Sequence, residues 1–194
     1  MLLRPACLPL LLPALLSACI IVPLPEETAK QVPFAIPIRI GGSSHGAPAA
    51  DLPMPVARCG PPAQTALTAE AVLAEVNRQR AMQGLAALAA APRLQVVAQD
   101  QACQIAESQT IGHRDARGRN IADRATKAGY GWSHIAENVG FGRLASAEAV
   151  VAAWMGSAGH RANLLSPKAR EAGFGYAENA KGQPGWVLVV GQPR

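Results

Sequence analysis

The chain is poor in aromatic residues, with 3 Trp, 2 Tyr and 3 Phe among 194, and only 16% of its residues are charged. No run of lysine and arginine interleaved with aromatics occurs. The formal charge of +5 is therefore read as a solvated surface, and no nucleic acid partner is expected. The apolar stretch near the start, "CLPLLLPALL", is too short and too interrupted by proline for an ordinary membrane span. Ser157 and His160 lie close together, but they form no G-x-S-x-G elbow and have no evident orienting acid, which disfavours a serine hydrolase. A local H-E-x-x-H ligand pair is missing too, so spacing alone is weak evidence for a metal. Internal repeats are absent.

What is present begins at the N-terminus. "MLLR" carries one positive charge, the apolar stretch follows, and "LSAC" ends at Cys19. This order resembles a bacterial lipoprotein signal covering residues 1–18, with Cys19 lipidated and becoming the first residue of the mature protein. Acyl chains there would tie the protein to a lipid bilayer, each buried methylene contributing roughly 0.8 kcal/mol. Ile20 stands where an aspartate would signal inner-membrane retention, so the resemblance implies an envelope location, with the outer membrane favoured. Of the 4 cysteines, Cys7 leaves with the signal and Cys19 takes lipid. Cys59 and Cys103 remain in an oxidising compartment, where a disulfide is expected to persist and to pin the spacer to the domain. The other reading is two partly buried thiols.

Residues 19–64 combine the lipidated cysteine with scattered prolines and a Gly-Gly-Ser-Ser run, an extended spacer without a core of its own in which His45 is simply solvated. From residue 65 to 194 the texture is that of one domain. Thr68 is suited to cap a helix carrying Val72, Leu73 and Val76 and ending near Gly84. Pro92 suits the first turn of a second helix with Leu94, Val97, Ala98, Ala102 and Ile105 on one face. A short third helix spans 120–128. Ser146 caps a fourth, whose stripe of Val150, Val151, Trp154 and Ala158 faces a core. Gly159 is expected to end that helix in the left-handed conformation and so turn His160 outward. "EAGFGYAEN" and "GWVLVVGQ" read as a closing hairpin. Helices followed by a hairpin give an α+β domain, with helices packed on a small sheet.

Between the helices, "IGHRD" holds His113, "HIAENVGFG" holds Glu137 and Asn138, and "SAGHRAN" holds His160, all taken as loops. The ordered set "VNRQRAMQGLAAL", "APRLQVVAQDQA", "IGHRDARGRNIADRATKAGYGW", "AENVGFG", "VVAAWMGSAGHRANLLSP", "EAGFGYA" and "WVLVVGQP" resembles the bacterial branch of the CAP superfamily, the cysteine-rich secretory, antigen 5 and pathogenesis-related proteins. The resemblance implies an α-β-α sandwich with a small antiparallel sheet between helices and an open cleft lined by His113, Glu137, Asn138, Ser157 and His160. It also implies that His113, Glu137 and His160 would be the ligands if Zn²⁺ or another divalent cation is held. The eukaryotic members carry an acid three residues after the helix tryptophan, where this chain has Ser157. A serine cannot replace a carboxylate as general base or anionic ligand.

His134, three residues before Glu137, is read as an exposed loop histidine. Asn138, Arg161 and Asn163 are read as holding loops through bonds to backbone, and Trp132, Trp154 and Trp186 as core. The function expected is an envelope-anchored binding module whose His/Glu cleft takes a glycan, peptide or lipid. The alternative is a metal-dependent hydrolase of peptidoglycan or peptides, in which Glu137 and His160 would be catalytic.

Overall fold

The computed structural model describes residues 53–63 and 65–194. The signal-like segment 1–18, Cys19 and the spacer through residue 52, His45 included, lie outside the described residues. Within them the order is α1 (Ala69–Ala81), β1 (Ala89–Ala90), α2 (Pro92–Ser108), α3 (Ile121–Lys127), β2 (Trp132–Phe141), α4 (Ala147–Met155), α5 (Ala158–Leu164), β3 (Glu171–Glu178) and β4 (Pro184–Pro193).

The helix starts follow from side chains that accept otherwise unpaired amide protons. Ala71 N donates to Thr68 Oγ1 at 3.1 Å and Ala149 N to Ser146 Oγ at 3.3 Å. Asn120 and Asp123 cap each other's backbone at the start of α3. Pro92 opens α2, where its missing N–H costs nothing.

The sheet has the order β1-β3-β4-β2, with β3–β4 and β2–β4 antiparallel. It is mixed, because β1 pairs with β3 in parallel. The two-residue β1 has no hydrophobic alternation to read; it exists through backbone bonds such as Ala89 N to Arg170 O at 2.9 Å. β2 corrects the expectation of a loop at "HIAENVGFG". Its residues from Ile135 to Gly140 are all buried, so it lacks the half-exposed alternation that marks a strand.

Alternation along the strands divides the core into two layers. Val187 and Val189 of β4, with Ile135 and Val139 of β2, pack against Leu94, Ala98 and Ile105 of α2 and Ile121 of α3. Trp186, Leu188 and Val190 face Val72 and Val76 of α1, Val150 and Trp154 of α4 and Leu164 of α5. The three tryptophans are core, as expected. α2 lies unusually close to the hairpin: a Cβ at Gly173 would collide with the backbone of Gln95, and one at Gly175 with that of Ala98.

The expectation for Gly159 fails. α4 stops at Met155 and is capped by a right-handed Gly156 at φ −69; the chain passes through extended Ser157 and restarts as α5. Ser157 takes the extended conformation that a helix N-cap needs, so the break falls before it rather than after Gly159. Gly159 lies inside α5, and Ala158 is exposed rather than part of the buried stripe. His160 is thus aimed by a helix, not by a left-handed glycine.

Candidate functional site

β2 is an edge strand of the sheet, and the site is built where both helical layers reach it. Glu137 shares the parity of Ile135 and Val139, so its side chain enters the α2–α3 layer. There Nη2 of Arg124 donates to both carboxylate oxygens, at 2.7 and 2.6 Å. Both partners are buried, Glu137 at 2% and Arg124 at 6% exposure. Arg124 falls on the inward stripe Ile121, Arg124, Ala125 and Ala128, all buried. A cation on an apolar helix stripe requires a buried anion, and Glu137 supplies it.

Asn138 has the opposite parity and points into the layer that contains α5. Its Nδ2 donates to His160 O at 3.1 Å, and Asn163 Nδ2 donates to Asn138 Oδ1 at 2.9 Å and to Glu137 O at 3.3 Å. These bonds stitch β2 to α5 and fix the backbone that carries His160. The end of α5 is held by fully buried Arg80, which donates to Leu164 O at 2.8 Å and Ser166 O at 3.0 Å. Arg161 donates to Met155 O at 3.3 Å across the helix break. The reading of these polar residues as backbone fasteners holds for Asn138, Arg161 and Asn163.

His113 arrives on the loop between α2 and α3, whose carbonyls Gly112 O and Arg114 O accept from Gln101 Nε2 at 2.9 and 3.4 Å. Its Nδ1 stands 3.7 Å from Glu137 Oε2, within ion-pair range but too far for a hydrogen bond. Both ring nitrogens of His113 and Nε2 of His160 are buried without a hydrogen-bond partner. Burial pushes the His160 imidazole below its ordinary pKa, and the nearby charge of His113 adds to the effect. His160 is therefore held neutral at neutral pH, with one ring nitrogen as donor and the other as acceptor.

Of the cleft residues expected, His113 stands beside Glu137, His160 lies within electrostatic reach of His113, and Asn138 holds the backbone of His160. Ser157 caps α5 through its backbone alone, and no hydrogen bond joins its side chain to the others. His134 lies in β2 rather than in a loop, half-buried, with Nε2 3.2 Å from Ser166 Oγ. Arg124 escaped the sequence reading, although its place on the apolar stripe was a usable signal.

The arrangement does not fit a three-ligand metal site. Arg124 engages both oxygens of Glu137, and a metal ion would have to displace that buried guanidinium. Among the described residues no group of three His, Cys, Asp or Glu is placed to hold an ion. What the site offers is a pair of buried imidazoles with open hydrogen-bonding capacity beside a neutralised carboxylate.

A family model described as CAP, the cysteine-rich secretory protein family, matches residues 73–191. The uncharacterized protein YkwD of Bacillus subtilis (strain 168) is 30% identical over 103 residues, which is 53% of this chain and 40% of that protein. The chain thus spans less than half the length of that relative. An outer surface protein from Borrelia burgdorferi shares the fold with a TM-score of 0.58 at 22% identity, covering 63% of this chain and 90% of that one. An extracellular SCP-domain protein from Bacillus anthracis aligns with a TM-score of 0.54 at 20% identity, over 62% of this chain and 39% of that one. With helices on both faces of a β1-β3-β4-β2 sheet and the family model matching across nearly all of it, the chain belongs to the CAP family of cysteine-rich secretory proteins.

Proposed function

We propose that the protein is a binding module of the bacterial envelope, lipid-anchored through Cys19, in which His113 and His160 take a polar ligand. One observation carries the reading: three buried imidazole nitrogens have no hydrogen-bond partner. Buried polar atoms without partners are costly, and a ligand that supplies both donors and acceptors removes that cost. Hydroxyl and amide groups do so, which favours a glycan or a peptide over a purely apolar ligand. The spacer and "LSAC" motif support a tethered location. So do the descriptions of two structural neighbours as an outer surface protein and an extracellular protein, which are statements about those proteins. The alternative, a metal-dependent hydrolase, needs Glu137 free as base or ligand, and Arg124 stands against it.

The test uses the full chain in detergent with isolated envelope fractions. Wild type is expected to bind saturably, and His113→Ala/His160→Ala, verified as folded by circular dichroism, to bind at least about tenfold more weakly. Equal binding by the folded double variant overturns the proposal. Saturable zinc binding at micromolar levels that His113→Ala abolishes would favour the hydrolase instead. In cells, Cys19→Ser is expected to move the protein from the membrane to the soluble fraction.

A further inference from the structure

Arg124 also lines an open cavity of about 370 Å³ between α2, the loop 115–119, α3 and the segment 55–58. The volume suits a small molecule. Five cationic side chains, Arg58, Arg117, Arg119, Arg124 and Lys127, line it against two carboxylates. Both carboxylates are engaged: Asp100 Oδ1 accepts from Arg58 N at 2.7 Å, and Asp115 takes Arg119 Nε at 2.7 Å and the backbone N–H groups of Arg117 and Arg119. Arg58, Arg119 and Arg124 are themselves paired, with Glu107, Asp115 and Glu137. Arg117 and Lys127 are exposed, and no bond or ion pair joins their side chains to any described residue.

The wall beneath these two cations carries a second signal. Gln101 is 1% exposed. Its Nε2 is committed to Gly112 O and Arg114 O, which fixes the amide's orientation and leaves Oε1 buried with no donor. Free cations beside a buried, unpartnered acceptor ask for a ligand that carries an anion and a hydrogen-bond donor next to it.

We propose that this cavity binds a small carboxylate whose adjacent amide or hydroxyl donates to Gln101 Oε1, with the carboxylate held by Arg117 and Lys127. A peptide C-terminus and an acidic sugar share that chemistry. The site is distinct from the imidazole pair, although Arg124 borders both. The spacer's docked end forms one wall, which gives residues 55–58 a part in recognition.

The full chain in detergent is titrated calorimetrically with N-acetyl-alanyl-alanine, its C-terminal amide, glucuronate and inorganic phosphate. At least one of the two carboxylates is expected to bind, and which one identifies a peptide or a sugar source. The amide is expected to bind about tenfold more weakly or not at all, and Arg117→Gln/Lys127→Gln to weaken carboxylate binding about tenfold. Rising salt weakens it further. Both variant positions are exposed, so folding is not at stake. Equal binding of acid and amide, undiminished binding by the double variant, phosphate binding more tightly than either carboxylate, or no carboxylate binding each overturns the proposal. His160→Ala leaves carboxylate binding unchanged, so this site and the imidazole pair fail independently.

Discussion

His160 illustrates how a single side chain acquires a pH dependence from its surroundings. Its imidazole is 6% exposed, and burial disfavours the charged form more than the nearby His113 does. The folded-state pKa is therefore below the ordinary value of 6.5. Between those two values the unfolded chain binds more protons than the native one, so stability rises with pH there. The contribution is complete above about 6.5 and is lost as pH falls from there toward the folded pKa. In guanidinium titrations at pH 7.5 and 5, wild type is expected to lose more stability than His160→Gln, by no more than about 2 kcal/mol, the ceiling that an unfolded value of 6.5 sets at pH 5. An identical loss in both would mean that His160 does not titrate in a buried site. At this scale the sequence was only partly legible. The order of motifs pointed to His113, Glu137 and His160, but Arg124 was invisible to a search for ligand types because its meaning comes from the stripe it interrupts.

Helix α3 is only seven residues long, and a helix of that length does not stand alone in water. The Asn120–Asp123 capping box sets its start, and burial of Ile121 and Ala125 sets its inward face. The Arg124–Glu137 pair then ties it to edge strand β2. Removing one member leaves the other charge buried without compensation, which costs about 3–5 kcal/mol, whereas replacing both with apolar residues often costs far less. Arg124→Met is accordingly expected to lower unfolding free energy by about 3–5 kcal/mol, and Arg124→Met/Glu137→Leu to recover much of that loss. A double variant no more stable than Arg124→Met would show that the salt link is not what α3 depends on. Elements with local signals were readable: Thr68 and Ser146 mark helix starts by accepting from amides three residues on, and Pro92 does so through its fixed φ and missing N–H. β1, β2 and the Gly156–Ser157 break were not. A two-residue strand and an edge strand buried from Ile135 to Gly140, with Glu137 and Asn138 at its centre, owe their conformation to partners distant in sequence.

At the scale of the whole molecule, the Cys59–Cys103 disulfide is a covalent tie between α2 and the segment that precedes α1. The bond joins positions 44 residues apart, with Cα atoms separated by 6.1 Å. It fastens the segment 53–63 to α2 together with the bonds from Arg58 N to Asp100 Oδ1 and from Arg93 Nη1 to Pro53 O. In the chain-entropy account a crosslink of this span removes roughly 4 kcal/mol of conformational freedom from the unfolded state. The interactions with Asp100 are exposed and contribute little on their own, so the covalent link dominates the docking of this segment. Cys59→Ser is expected to lower unfolding free energy by up to about 4 kcal/mol while the sheet and its two helical layers survive, since Cys59 lies outside every helix and strand. Denaturant titration of the oxidised protein, the reduced protein and Cys59→Ser checks this, with reduction and substitution expected to agree. A loss below about 1 kcal/mol would mean that the unfolded chain gains little freedom when the crosslink is cut. In that case the spacer is held by its noncovalent contacts, and the wall of the cationic cavity would persist in a reducing compartment.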